Sequence, residues 1–323
     1  MKFHESHFEE YITSVQKESL HPKIDDKILK KFPNKVQDLK NLIFYGPSGV
    51  GKYSLMLKSI KTYSPTELKY EKKLSVTYNK EQYYFKISDI HYEVDLSMLG
   101  CNSKLLWHEI YMQIVDIISA KTNKIGIIVC KYFQDIHSEL LENFYSYMQK
   151  NYSLSIDLKF ILITEHLSFI PDNIINCCEI IQVARPSKIN YNKCLKNKLQ
   201  TTFKLQDISN IKNMKSNTNE NLMKPYKIIC NKVIDVIINI ENYQLLKIRD
   251  LLYDLFIYNL NIDECIWYII FTLVTNGSIS QVNISKLMIK TYTFFQYYNN
   301  NYRPIYHLEN YILFLSSLVN INT

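Results

Sequence analysis

The feature that most constrains this chain is the run Gly46-Pro47-Ser48-Gly49-Val50-Gly51-Lys52. The chain has 6 glycines in 323 residues, and half of them fall between positions 46 and 51. The run fits Gly-x-x-x-x-Gly-Lys. In such a loop the backbone N–H groups converge on phosphate oxygens, the following helix N-terminus adds partial positive charge, and the lysine reaches the outer phosphates. The surroundings suit it. Asn41-Leu42-Ile43-Phe44-Tyr45 reads as a buried strand feeding the loop, and Tyr53 to Tyr63 reads as the helix that follows. The candidate nucleotide-binding residues are therefore Gly46, Pro47, Ser48, Gly49, Val50, Gly51, Lys52, Tyr53 and Ser54.

The hydrophobic rhythm around the loop sets the fold class. Lys124 to Cys130, Lys159 to Thr164 and Glu179 to Val183 read as further buried strands. Helical patterns over Ser103 to Lys121 and His137 to Gln149 stand between them, and Leu74 to Ile90 suggests two short strands. Apolar strands alternating with helices predict an α/β domain with a parallel, doubly wound sheet. Residues 1–20 and Asp25 to Lys31 read as short helical pieces, and Asn190 to Thr201 as a basic helix. Asp207 to Asn221 is short, polar and Asn-rich, and reads as a reduced subdomain or linker. From Pro225 onward all is helical: 226–240, 243–259, 263–276, 282–299 and 304–319. The expected organisation is a nucleotide-binding core over 1–185, a short lid or linker over 186–224, and an all-α domain over 225–323.

The chemistry around the loop is incomplete. A hydroxyl should follow the lysine as a Mg²⁺ ligand, yet position 53 is tyrosine. Ser54 is turned about 100° further round the helix and does not serve the same spot. A P-loop ATPase also needs carboxylates at the end of a second strand to hold Mg²⁺ and orient water. Here Ile127-Ile128-Val129-Cys130 runs into Lys131-Tyr132-Phe133-Gln134, and the first acid is Asp135. A lysine at that place opposes Mg²⁺. The expectation is weak ATP binding, a site poorly suited to Mg²⁺, no catalytic residue and no hydrolysis by the chain alone.

Other features narrow the classes. The formal charge of +7, from 38 Lys+Arg against 31 Asp+Glu, permits a nucleic-acid partner without requiring one. The 7 cysteines lack CxxC spacing and read as reduced thiols of an intracellular protein, with Cys177-Cys178 a vicinal buried pair. Met1-Lys2-Phe3-His4-Glu5-Ser6 has no apolar core, so secretion is not expected. Apolar stretches stop well short of a ~20-residue span, so no membrane partner is expected. His108-Glu109 lacks the second histidine of HExxH because position 112 is Met112, and no other metal spacing appears. The aromatics between 292 and 298 read as core or subunit-interface residues.

Beyond the loop, further segments carry a family resemblance. They are His91-Tyr92-Glu93-Val94-Asp95 with Gly100, Lys247-Ile248-Arg249-Asp250-Leu251-Leu252-Tyr253-Asp254-Leu255-Phe256, and Ile305-Tyr306-His307-Leu308-Glu309-Asn310-Tyr311. Together with Tyr45 to Lys52, in this order, they resemble a small subunit of replication factor C, the eukaryotic-type AAA+ sliding-clamp loader. The resemblance spans nearly the whole chain. It is nearest to the small subunit whose P-loop lacks the following Ser or Thr. It implies an AAA+ core, a short helical lid and a helical collar. It also implies a hetero-pentameric ring of related subunits that loads a sliding clamp onto primer-template DNA.

The resemblance further implies which functions are lost. The family's acidic box falls on Lys131 to Gln134, its sensor asparagine on Glu165, and the arginine that serves a neighbour's ATP on Cys177. A second sensor arginine falls near Lys212. Lys104, after Asn102-Ser103 at a helix start, matches a basic position that meets DNA phosphates. The implied role is a scaffold or nucleotide-holding subunit. It would act where DNA is replicated, in a nucleus or in the factory of a large DNA virus. The alternatives are an independent P-loop nucleotide-processing enzyme and a subunit of another AAA+ ring.

Overall fold

The computed structural model describes residues 7–17, 19–22, 32–78, 81–100, 102–149, 156–195, 198–199, 204–209, 211, 222–258, 260–300 and 303–320. The stretch Asp25 to Lys31, position 212 and most of the polar stretch 207–221 lie outside these residues. The chain divides into two compact units, Met1–Asn217 and Thr218–Thr323.

The first unit is built on a seven-stranded sheet. Its strands are β1 (Asn41–Tyr45), β2 (Lys72–Tyr78), β3 (Glu81–Ile87), β4 (His91–Asp95), β5 (Ile125–Lys131), β6 (Asp157–Thr164) and β7 (Cys178–Gln182). Its helices are α1 (Phe8–Lys17), α2 (Lys52–Ile60), α3 (Ser103–Ser119), α4 (Ser138–Met148), α5 (Asp172–Asn176) and α6 (Lys188–Cys194). The strand order is β2-β3-β4-β5-β6-β1-β7. Strands β4, β5, β6, β1 and β7 run parallel, and β2 and β3 add an antiparallel extension beside β4. The parallel strands, taken in chain order, lie second-third-fourth-first-fifth. With the phosphate loop after the first of them, this is an α/β P-loop arrangement.

The sheet is mostly parallel, as expected, with an antiparallel pair of strands at one edge. Strands β2 and β3 are separated by two positions, too few for a crossover, so they must pair antiparallel. β4 is a strand that sequence pattern alone misses, because two of its five residues are His91 and Glu93. The basic helix is shorter than expected and starts earlier. Ser187 accepts a hydrogen bond from the Asn190 N–H and caps it, and Leu195 is already extended.

Alternating residues put apolar side chains on both faces of the central strands. On β5, Ile128 and Cys130 join the core beneath α3 and α4 with Tyr92, Trp107, Ile110, Phe144 and Phe160. Ile127 and Val129 join the opposite core with Phe44, Val50, Met56, Leu57 and Ile161, where Phe8 and Ile12 of α1 also pack. Two-sided burial explains why these strands read as continuous apolar runs.

The second unit is all-α: α7 (Pro225–Ile238), α8 (Leu245–Ile257), α9 (Ile262–Thr275), α10 (Ile284–Asn300) and α11 (Pro304–Asn320). Asn261 caps α9 by accepting from the N–H groups of Asp263 and Glu264, whose acids suit the helix N-terminus. Val233, Ile237, Leu252, Ile266, Leu273, Leu308 and Leu315 form one core. The ring of Phe294 stacks on Tyr311 at 4.6 Å, and the Tyr311 hydroxyl meets Thr291 Oγ1 at 2.7 Å, which fixes α10 against α11. No helix among the described residues is long and apolar enough to cross a membrane.

Candidate functional site

The loop leaves the sheet between its neighbours. Gly46 N–H donates to Thr164 O on β6, and Val183 N–H, just past β7, donates to Tyr45 O. The chain passes so close here that a Cβ on Gly46 would stand 2.2 Å from Val183 O. At Gly49 the backbone is left-handed, with φ +70°, and a Cβ would stand 2.3 Å from Ile208 O. Glycine is required there on both counts. The carbonyl of Gly49 accepts from the Tyr191 hydroxyl at 2.9 Å, and that of Val50 meets His21 Nε2 at 2.8 Å. These bonds fix the loop's shape through its carbonyls. The loop keeps the form of a phosphate cradle.

Lys52 opens α2 and folds back over the loop, donating to Gly46 O and, at 2.8 Å, to Pro47 O. Burial lowers its ammonium pKa to about 8; Glu165 at the end of β6 works against that shift and Arg185 adds to it. Arg185 also donates to Leu205 O at 2.7 Å and Ile208 O at 3.0 Å, holding that segment against Gly49. Sequence reasoning missed Arg185, Tyr191 and His21. Each acts on the loop from a distant segment, and no local pattern marks it.

On the other side of Lys52 the arrangement changes. Tyr53 sends its hydroxyl to Glu93 Oε1 at 2.6 Å. Glu93, on β4, is buried, with 2 % of its surface exposed. It also meets His91 Nε2 at 3.3 Å and stands 3.3 Å from Lys131 Nζ through Oε2. The Lys131 contact is an ion pair without hydrogen-bond alignment, and Oε2 has no hydrogen-bond partner among the described residues. Ser88 Oγ receives the N–H groups of Ile90 and His91 and lies 2.5 Å from His91 Nδ1. The serine hydroxyl therefore donates to Nδ1, and the tautomer with hydrogen on Nε2 donates to Glu93. Burial pushes the Glu93 carboxyl up, but His91, Lys131 and Tyr53 together outweigh it and hold the pKa at about 2. Burial also disfavours the Lys131 charge, and Glu93 and Asp95 reverse that, so the ammonium is held above its ordinary range.

Helix α1 roofs this cluster. Phe8 lies on His91 at 4.8 Å between ring centroids, and Tyr11 meets Tyr53 edge-on at 4.9 Å. Lys131 Nζ lies 5.5 Å from the Tyr53 ring centre, within cation–π range. The next residue, Tyr132, is left-handed at φ +52°, a strained conformation for a non-glycine residue at the end of β5. The sequence had marked Tyr53 and Lys131 as departures. The structure adds that both are spent on Glu93, a partner the sequence did not assign to either.

The remaining marked residues are dispersed. Lys104 is exposed on the first turn of α3, after Asn102. Cys177 and Cys178 lie at the start of β7 as free thiols with sulfurs 3.9 Å apart, and Cys177 donates to Ile174 O. Burial pushes the Cys178 thiol up, which makes it a poor nucleophile. Ser54 lies on α2 and is half-buried.

The donor set decides what this site fits. Glycine geometry and Lys52 suit a polyphosphate. The corner beyond Lys52 does not suit Mg²⁺. A phenol ring stands where a small hydroxyl is needed, and the buried carboxylate of Glu93 is already committed to Tyr53, His91 and Lys131. Among the described residues no group of three or more His, Cys, Asp or Glu side chains is placed to hold a metal ion.

No known protein family matches this sequence, and no curated protein matches it. Among solved structures, the chain is similar to RIF2 of Saccharomyces cerevisiae, with 14% identity and a TM-score of 0.36 over 62% of this chain and 70% of that one. It is also similar to PCH-2 of C. elegans, with 12% identity and a TM-score of 0.34 over 70% of this chain and 59% of that one. A third is a RuvB variant of Thermotoga maritima, with 11% identity and a TM-score of 0.33 over 59% of this chain and 51% of that one. Likeness at this level carries no argument about activity, which rests on the geometry of the site.

Proposed function

We propose that this chain is a nucleotide-holding subunit of a clamp-loader-type AAA+ ring and that it does not hydrolyse ATP by itself. The observation that carries the reading is the split at Lys52: the phosphate cradle is complete, while the corner needed for metal-assisted hydrolysis is filled by Tyr53 and Lys131. In such a subunit the bound nucleotide is a structural ligand that stabilises the folded state in proportion to its occupancy.

Further support comes from the helical unit. The segments 247–256 and 305–311, both of which resemble collar segments of replication factor C, meet there. Arg249 grips Glu309 with two hydrogen bonds, Nε to Oε1 and Nη2 to Oε2, the latter at 3.0 Å. Leu245, Leu246, Ile257, Trp267, Phe271 and Tyr292 are exposed apolar side chains of this unit, as an oligomerising domain requires. The partners in this reading are related subunits of a hetero-pentamer, a sliding clamp and primer-template DNA, with Lys104 touching backbone phosphate. Its place of action is the site of DNA replication, nuclear or viral.

Two measurements test the proposal. Affinity capture from cells that express the chain should recover related AAA+ subunits and a clamp in stoichiometric amounts. A chain that runs alone under those conditions would sink it. Purified alone, the chain should bind ATP and release no phosphate; sustained turnover would favour an independent P-loop enzyme.

A further inference from the structure

We propose that the Lys131 ammonium is a resident cation standing where a P-loop ATPase carries its divalent metal, so that the loop takes a nucleoside phosphate in its metal-free form. This deepens the nucleotide-holding reading and rests on it. Lys131 is the last residue of β5, the strand end at which a metal-holding carboxylate belongs. Its Nζ lies 3.3 Å from Glu93 Oε2 and 5.5 Å from the Tyr53 ring centre.

Three observations converge on a single cation at this corner. Among the described residues, the side chain of fixed positive charge paired with Glu93 is Lys131, so the pair is neutral as it stands. A divalent ion at Glu93 would have to share that carboxylate with the Lys131 ammonium, and like charges repel strongly in a buried corner. The space is also spent. The Tyr53 ring runs from the loop to Glu93, and Tyr11 and Phe8 close the cluster from the α1 side. Finally, the charge that a metal would neutralise on the phosphates has another counter-ion, because Lys52 lies over the loop carbonyls of Gly46 and Pro47.

The test uses the full chain and a fluorescent ATP analogue, titrated in EDTA and in Mg²⁺ at matched ionic strength. Equal affinity in the two buffers, within about twofold, is expected. Tightening by Mg²⁺ beyond that overturns the assignment. A second arm probes metal without nucleotide, by Mn²⁺ relaxation and by the thermal midpoint. The wild-type chain should take up no Mn²⁺ and its midpoint should not move. Lys131→Ala should melt lower in EDTA and recover with Mn²⁺. Mn²⁺ held by the wild type, or a variant indifferent to it, refutes the resident cation. If Lys131→Ala does not fold, Lys131→Arg replaces it; this variant keeps the cation and should stay silent to Mn²⁺, and uptake would count against the proposal. If nucleotide binds in neither buffer, the nucleotide-holding reading falls, and the Mn²⁺ arm alone decides the role of Lys131.

Discussion

On one side of the Lys52–Tyr53 peptide, glycines at 46, 49 and 51 hold a loop whose every bend is set by a close approach or a left-handed φ. On the other side, within one helical turn, a tyrosine reaches away from the loop into a buried cluster of Glu93, His91 and Lys131. The first region is shaped for something that is not part of the chain. The second is satisfied almost entirely by the chain itself. A phosphate cradle depends on backbone geometry, which only a few residues can supply. A metal corner depends on side-chain charge, which two substitutions can convert into an internal ion pair.

The comparison breaks most decisively at Gly49. Gly49→Ala combines a left-handed backbone with a Cβ 2.3 Å from Ile208 O, and should destabilise by about 3 kcal/mol while abolishing nucleotide binding. Denaturant melts read the first effect and nucleotide titration the second. Lys131→Met removes the cation from a buried carboxylate and should also destabilise by about 3 kcal/mol, but with nucleotide affinity largely retained. Loss of binding in that variant would merge the two regions into one.

Glu93 gives the same contrast through pH. Its folded-state pKa of about 2 lies below the ordinary carboxylate value of 4.5, so its stabilisation is full above the unfolded value. It is lost as pH falls from about 4.5 towards 2, by at most about 3 kcal/mol. In Glu93→Gln that part of the acid transition should vanish from pH-dependent melts. Lys52 behaves oppositely. Its ammonium titrates near 8, so phosphate affinity should weaken as pH rises from 7 to 9. Lys52→Met should cost about 2 kcal/mol of binding, roughly 30-fold, with little change in folding. The smallest effect is at Lys104. Lys104→Ala should weaken DNA binding by a few-fold and lower the salt slope by about 1, leaving nucleotide binding unchanged.

Much of the fold was legible because its signals are local. The glycine run, the continuous apolar strands and the five C-terminal helices each announce themselves within a dozen residues, and the observed bounds differ by a residue or two. β4 escaped because His91 and Glu93 interrupt its apolar pattern. Their burial is tolerated only through partners on α2 and β5 and in the turn at Ser88. The antiparallel hairpin follows from a short separation that was visible but not used. The phosphate loop was complete in the sequence, and the filled metal corner was half visible. Tyr53 and Lys131 stand out by violating a motif, whereas the residue that binds them together lies 40 positions from one and 38 from the other in chain order.

The pairing of Lys131 with Glu93 also has a historical meaning. Replacing Lys131 by an acid, the step towards a metal-holding strand end, would place two carboxylates together under the roof of α1 while Tyr53 keeps one oxygen of Glu93. Replacing Tyr53 by threonine alone would strip Glu93 of its best hydrogen bond and gain no ligand in return. Each single step descends, and only the pair together could climb, because the two positions are coupled through one shared partner. The corner therefore works as a ratchet: a metal-holding version of it and this chain are separated by a valley that one-at-a-time substitution does not cross.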